Sequence, residues 1–332
     1  MTGGGTGGHL AIIKAVKEQI KDRELIYIGS TKGQDIDWFK NDNDFTDRYF
    51  LDTRGVVNQN FFGKIKSILM LISATRESIR LLKKHKAKVV LSVGGFSSAP
   101  TAFASKIIGI PLVIHEQNAS IGSLNKILKP YAKIFISSYL EDSPIRAYPI
   151  KDIFFKNSHI RESIKTIIFL GGSQGAMAIN TLAISIAPTL HKMGIKIIHQ
   201  AGENNIEEIK KSYKELNIKA EVFGFTKKLD EYMNIADFAV ARAGASTLWE
   251  LCASGIPTIY IPYPYASSDH QYYNAKYFKD KQLAWIMRED NISIDEIFNI
   301  IKDKEIKNIS INLLKEIEEN GNKKIAKLLK EI

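Results

Sequence analysis

The chain has 332 residues, which at roughly 150 per domain predicts about two domains with a core each and excludes one small module. Apolar residues make up 45% and charged residues 25%, the balance of a folded globular protein and not of a disordered, collagen-like or coiled-coil one. Lys plus Arg number 46 against 36 Asp plus Glu, a formal +10, so the expected partners are anionic: nucleic acid, an anionic membrane face or phosphorylated substrates.

The first feature along the chain is Gly3-Gly4-Gly5-Thr6-Gly7-Gly8-His9, where a signal peptide would show a basic start and an apolar stretch. Such a glycine loop normally follows a buried strand, yet only Met1 and Thr2 stand before it, so a weakened central strand is expected. Short runs rich in Ile, Val and Phe at residues 25–28, 89–93, 111–114 and 134–137 read as strands. Asp35-Ile36-Asp37 and Asp42-Asn43-Asp44 match the Asp-x-Asp that holds a metal on a diphosphate in some transferases. Their turn-rich setting predicts a solvated acidic loop and no metal. Residues 61–72 are densely apolar and are followed by Arg76, Arg80, Lys83 and Lys84. That pattern fits either a helix lying on anionic lipid or a core helix with a solvated basic end.

Ser143-Pro144 and Tyr148-Pro149 break regular structure and mark a linker. Beyond it, residues 166–170, 195–199, 220–225, 238–241 and 258–262 read as strands, with helices at 179–193, 205–216 and 246–253. Strands and helices taking turns predict an α/β fold with parallel sheets wound by helices. Gly171-Gly172-Ser173-Gln174-Gly175 echoes the opening loop half a chain later, which predicts two Rossmann-like doubly wound domains facing across one cleft. Residues 306–332 have the apolar spacing of an amphipathic helix. Cys252 is the only cysteine, which excludes an internal disulfide and a Cys-rich zinc site and favours a cytosolic address. No apolar run reaches the roughly 18 residues that span a bilayer.

Glycines between a strand and a helix let main-chain N–H groups approach an anion, and the helix N-terminus adds positive potential. A dinucleotide fold would need a carboxylate after the second strand, where this chain has Ile28-Gly29-Ser30-Thr31-Lys32, and neither glycine run continues to Gly-Lys-Ser/Thr. Hydride transfer and a P-loop therefore recede. The richer site is Ala241-Arg242-Ala243-Gly244-Ala245-Ser246-Thr247-Leu248-Trp249-Glu250. Ser246 and Thr247 are expected to cap a helix beneath a diphosphate, and Glu250, about a turn later, to accept from ribose hydroxyls. Gln271 and Asn274, three apart on a helix, suit sugar hydroxyls because an amide both donates and accepts.

Together, Gly4 to His9, Gly94-Gly95-Phe96-Ser97-Ser98-Ala99-Pro100, His115-Glu116-Gln117-Asn118, Gly171 to Gly175, Arg242 to Glu250 and Gln271 to Asn274 resemble the MurG family. The motifs stand in family order from residue 3 to residue 275. The resemblance implies a GT-B fold and an inverting transfer of N-acetylglucosamine (GlcNAc) from UDP-GlcNAc to the C4 hydroxyl of undecaprenyl-pyrophosphoryl-MurNAc-pentapeptide. It implies residues 1–145 as the acceptor- and membrane-facing domain, 146–305 as the UDP-GlcNAc domain, and 306–332 packing back on the first. Thr6, Gly7, Gly8, Asn118, Ser173, Thr226, Ala245, Ser246, Thr247, Leu248, Trp249, Glu250 and Gln271 would contact the donor. Arg242 and Asn274 join the binding set from their motifs, while Asn125 and Asn180 fall on family positions whose side chains point toward the cleft. His9 is the implied base, because an imidazole titrating near 6.5 suits proton abstraction, with Glu116 second and His115 beside it. No cofactor is implied. The partners are the two substrates and an anionic membrane, at the cytoplasmic face of the inner membrane, and no nucleic acid. The family's Asn-Pro-Val-Arg is Tyr148-Pro149-Ile150-Lys151 here, Phe96 replaces a tyrosine, and Thr226 replaces an aliphatic residue. A UDP-GlcNAc 2-epimerase or a non-catalytic sugar-nucleotide-binding subunit would share the nucleotide cradle.

Overall fold

The computed structural model describes residues 1–55, 60–172 and 175–332, with the backbone alone at Phe61. Helix α1 (Gly7–Lys17) follows the glycine loop and leads to β1 (Ile26–Ser30), the short α2 (Asp35–Phe39) and β2 (Asp47–Leu51). Then come α3 (Phe61–Lys84), β3 (Val90–Ser92), α4 (Ala99–Ile107), β4 (Leu112–Glu116), α5 (Ser123–Leu128) and β5 (Ile134–Ser137). β1 pairs with β2, β3 with β4, and β4 with β5, all parallel. The expected weakened central strand is a single residue: Thr2 bridges Ile28 on one side and Ser92 on the other, both in parallel. Its N–H donates to Leu91 O at 2.9 Å and its carbonyl accepts from Val93 at 3.0 Å. A cavity of about 400 Å³, lined by Met1, Ile26, Val89, Leu91 and Leu329 among others, lies beside that bridge.

The stretch expected to be a solvated acidic loop is built differently. Asp35 is fully buried, and Asp42 and Asp44 hold the buried Lys17 ammonium at 2.6 and 2.7 Å. A lysine taken out of water needs such partners, which is why carboxylates cluster here.

From residue 152 the elements are α6 (Asp152–Lys156), β6 (Thr166–Leu170), α7 (Met177–Lys192), β7 (Lys196–Gln200), α8 (Ile206–Glu215), β8 (Ala220–Phe223), α9 (Leu229–Ile235) and β9 (Phe238–Ala241). They continue with α10 (Ala245–Ala253), β10 (Thr258–Tyr260), α11 (His270–Asp280), β11 (Ala284–Ile286), α12 (Ile294–Ile301), α13 (Ile306–Glu316) and α14 (Gly321–Glu331). The sheet runs β11-β10-β9-β6-β7-β8, all parallel. Its central strands are apolar on both faces because helices cover both, so Ile167, Ile168, Phe169, Phe238 and Val240 are all fully buried.

Two compact units result: Met1–Lys151 with Glu318–Ile332, and Asp152–Ile317. The first boundary thus lies at residue 151, not 145, and α13 stays with the second unit, where Cys252 Sγ donates to Leu313 O at 3.3 Å. Only α14 belongs with the first unit, packing on α1 and pairing Lys330 with Asp22. The helical run ends at Ile317, which is extended (φ −110°, ψ 132°), and α14 starts afresh from Asn320, whose φ is 64°.

Candidate active site

The first glycine loop turns part of its polar surface inward. Gly5 N–H donates to Asp35 Oδ1 at 2.6 Å, Gly4 N–H to Gly94 O at 3.4 Å, and Ser30 N–H to Asp35 Oδ2 at 2.9 Å. Tyr27 Oη lies 2.8 Å from Gly3 O. Gly95 must be glycine for the same packing: its φ is +80° and a Cβ there would stand 2.4 Å from Gly4 O. The loop amides that can meet an anion are therefore those of Thr6, Gly7 and Gly8, where α1 starts and N–H groups lack acceptors within the helix.

Within the first turn of α1, His9 Nδ1 lies 2.8 Å from Thr6 Oγ1. A hydroxyl there can accept from Nδ1–H, the tautomer that leaves Nε2 as the basic atom. His115, at the carboxyl end of β4, is fully buried, and neither ring nitrogen has a partner among the described residues. Burial, aided by the nearby His9, pushes its pKa down to about 3. Beside it Glu116 is 2% exposed and saturated. Its Oε1 accepts from Asn118 N–H at 3.0 Å and Oε2 from Gly122 N–H and Asn125 Nδ2, both at 2.9 Å. That carboxylate fixes the turn after β4. Asn125, itself buried, keeps its Oδ1 without a partner among the described residues.

In the second unit Ser173 lies outside the described residues. Asn180 is buried, and its amide is committed: Nδ2 donates to Ala201 O at 3.1 Å and Oδ1 lies 3.0 Å from His199 Nε2. His199 Nδ1 in turn lies 3.0 Å from Tyr213 Oη. One directional chain satisfies every atom, Tyr213 O–H to Nδ1, Nε2–H to Asn180, and the amide to Ala201. It props the turn against which the second glycine loop rests, since a Cβ on Gly175 would lie 2.4 Å from Ala201 O.

Helix α10 begins one residue earlier than its sequence suggests. Gly244 is the N-cap, with φ −64° and ψ 135°, and Leu248 N–H makes a helical bond back to it at 3.0 Å. Ser246 and Thr247 thus do not cap the helix; they stand within its first turn, with Ala245, where main-chain N–H groups have no acceptor within the helix. Ser246 Oγ is buried without a partner among the described residues. Leu248 and Trp249 face the core, Trp249 meeting Phe278 edge-on at 5.1 Å, so only their backbone is near the helix start. Glu250 is half-buried one turn along.

Three further polar residues brace this site. Arg242 donates to Ile261 O at 3.0 Å and Pro262 O at 3.2 Å, pairs with Glu289 and lies over Tyr263. Asn274 is buried and donates to Ala243 O at 3.2 Å. Gln271 Oε1 accepts from Tyr263 N–H at 3.0 Å, which turns its NH₂ into the group left to donate. Thr226 Oγ1 accepts from Lys228 N–H at 3.0 Å. Phe225, just ahead of it and 57% exposed, is a flat apolar surface that the sequence reading passed over, because an isolated aromatic carries no motif.

Both buried imidazoles are held neutral, His199 at about 4 by burial and His115 at about 3. The unfolded chain takes up a proton on each near pH 6.5, before the folded one does, so stability is fully present above 6.5 and is lost as pH falls toward 4. The two groups together contribute a slope of about 2.7 kcal/mol per pH unit. Urea midpoints between pH 7 and 4.5 check this: the slope is expected to fall by about half in His199→Gln, and identical slopes would contradict it.

The descriptions "Glycosyltransferase family 28 N-terminal domain" and "Glycosyltransferase family 28 C-terminal domain" match residues 1–136 and 166–332. A protein of Sulfurovum sp. (strain NBC37-1) is 64% identical over 331 residues, 99% of this chain and 97% of that one. It is named UDP-N-acetylglucosamine--N-acetylmuramyl-(pentapeptide) pyrophosphoryl-undecaprenol N-acetylglucosamine transferase. A Wolinella succinogenes protein of the same name is 49% identical, covering 91% of each chain. Among solved structures, Acinetobacter baumannii MurG superposes with a TM-score of 0.83 at 24% identity, covering 100% of this chain and 99% of that one. The Streptomyces sp. SF2575 glycosyltransferase SsfS6, solved with thymidine diphosphate, gives 0.64 at 13% identity over 100% of this chain and 98% of that one. At those identities the two structures establish the fold, which is GT-B with two Rossmann-like domains.

Proposed function

The chain belongs to glycosyltransferase family 28 and, within it, to the MurG transferases, and from that premise we propose how its residues divide the reaction. It moves GlcNAc from UDP-GlcNAc to the C4 hydroxyl of undecaprenyl-pyrophosphoryl-MurNAc-pentapeptide, converting lipid I to lipid II. His9 Nε2 takes the proton of the acceptor hydroxyl as that oxygen attacks the anomeric carbon. The bond to the β-phosphate oxygen breaks, UDP leaves with the electron pair, and configuration inverts. Departing charge is met by the first-turn amides of α10 and the Ser246 hydroxyl, fixed dipoles that need no reorganisation at the moment of reaction. Glu250 accepts from the ribose, Phe225 offers a face to the uracil, the main chain at Thr226 meets its edge, and the Gln271 amide donates to the sugar.

The observation that carries this division is the start of α10: unpaired first-turn amides beside a buried hydroxyl without a partner among the described residues. Glu116, Asn125, Asn180, Arg242 and Asn274 then serve as frame, holding the turns that present these groups. Labelled UDP-GlcNAc incubated with a lipid-linked muramyl-pentapeptide tests the reading. Transfer of label to lipid is expected; UDP-ManNAc formation would make the chain an epimerase, and binding without turnover a recruiting subunit.

No helix among the described residues is long and apolar enough to cross a membrane. We infer peripheral attachment at the cytoplasmic face of the inner membrane, through α3. Phe62, Ile65, Ile68, Leu69 and Ile72 are exposed along one stripe of that helix, with Phe62 80% exposed, while Ser67, Ser78, Leu81 and Leu82 face inward. Lys64, Lys66 and Arg76 flank the stripe, the arrangement that seats a helix among anionic headgroups. Replacing Phe62, Leu69 and Ile72 by Ser removes about 1.5 kcal/mol or more of buried apolar surface each, so sedimentation with anionic vesicles should show binding weakened by about 100-fold or more. Unchanged binding would place the docking surface elsewhere.

A further inference from the structure

The segment between β10 and α11 carries a feature that the reaction does not explain. Ser268 (φ 52°, ψ 28°) and Asp269 (φ 51°, ψ 31°) are successive non-glycine residues in the left-handed region, which side chains with a Cβ seldom occupy. Such a turn relaxes unless its surroundings hold it. Asp269 is held: Oδ1 and Oδ2 accept from Arg288 Nη1 and Nη2 at 2.9 and 2.6 Å, a two-bond fork from the far side of β11. The Arg288 guanidinium also lies over Tyr272, 4.0 Å from the ring centroid, which fixes its plane. Asp269 is the residue from which α11 starts, and Gln271 is the second residue of that helix. At the other end of the segment Arg242 grips Ile261 and Pro262, and the next amide, Tyr263 N–H, is the one that orients Gln271.

We propose that the Arg288–Asp269 pair is a positioning device that clamps this strained turn so that the Gln271 amide is presented to the sugar of the donor. The inference rests on the donor reading above, in which Gln271 donates to the GlcNAc hydroxyls. It bears on sugar recognition before nucleotide recognition, because the clamp sits at the start of α11 beside Gln271, while the link from α11 to Ala243 ahead of α10 runs through Asn274, further along the helix. The pair is a bidentate one that an ammonium cannot reproduce, so Lys is not an equivalent of Arg here.

Calorimetry with UDP and with UDP-GlcNAc, together with steady-state kinetics, tests it on the full chain. Arg288→Met and Arg288→Lys are expected to weaken UDP-GlcNAc binding and raise its KM by about tenfold, while UDP affinity and kcat at saturation stay within about threefold of the parent. Asp269→Asn, which tolerates the left-handed region, should weaken it less than Asp269→Ala. Adding Ser268→Gly to Arg288→Met relieves the strain at one of the two left-handed positions and should restore part of the lost affinity. Equal weakening toward UDP and UDP-GlcNAc, no weakening at all, or no rescue by Ser268→Gly would each overturn the clamp. If Arg288→Met does not fold, the Asn and Ala pair at residue 269 gives the same comparison. A parent chain that fails to bind UDP-GlcNAc would overturn the donor reading itself, and the clamp with it.

Discussion

Replacing His9 by Gln should lower kcat for GlcNAc transfer by about 10²- to 10⁴-fold and leave UDP-GlcNAc binding near that of the parent. The size follows from what is removed. A glutamine of similar reach can still bond Thr6, as His9 Nδ1 does at 2.8 Å, so the start of α1 keeps its shape. What it lacks is a nitrogen lone pair able to carry a proton away from an attacking hydroxyl. Thr6→Val should give a smaller loss, because the imidazole remains but its tautomer is no longer selected. Single-turnover assays at saturating donor measure both. A His9→Gln chain as fast as its parent would move the base to another residue, with His115 the next imidazole along, buried at the end of β4.

Glu116 should behave as a structural carboxylate, and the second large effect is on stability. Glu116→Ala strips acceptors from two main-chain amides, Asn118 and Gly122, and from the Asn125 side chain in a buried setting. At about 1 to 3 kcal/mol for each donor left unsatisfied, the loss is expected to reach about 3 kcal/mol or more. Glu116→Gln keeps the bonds to Oε1 but turns an NH₂ toward Gly122 N–H and Asn125 Nδ2, donor against donor, so it too should lower the denaturation midpoint. Were Glu116 the base, the Gln variant would lose turnover and keep its midpoint. Thermal or urea unfolding beside the transfer assay separates the two roles.

The apolar strands were plain from composition because a sheet covered on both faces leaves a continuous Ile, Val and Phe run, as in residues 166–170. β2, Asp-Arg-Tyr-Phe-Leu, was not, since every residue of it is only partly buried and nothing alternates. β11 has three residues, too few for any period. In the site, residue type showed what each side chain can do but not which neighbour claims it. Asn180, Arg242 and Asn274 all have the chemistry of ligand contacts, and folding gives them to Ala201 and His199, to Ile261 and Pro262, and to Ala243. Asp35 is the same lesson from the other direction: an Asp-x-Asp match whose first carboxylate is enclosed by Gly5, Ser30 and Tyr27. Partners that lie 20 or 30 positions away in the chain leave no trace in local spacing.

Because residues 318–332 belong with residues 1–151, the polypeptide is nested: the second unit is inserted into the first, and no single cut releases either half whole. A premature stop at residue 318 would leave the second unit intact and strip Ile325, Ala326 and Leu329 from their seat against α1, the helix bearing His9. Loss of residues 318–332 would therefore surface about 300 positions away, at α1, and on the division of the reaction proposed above the shortened product would keep the donor-binding residues while unsettling the helix that carries the base.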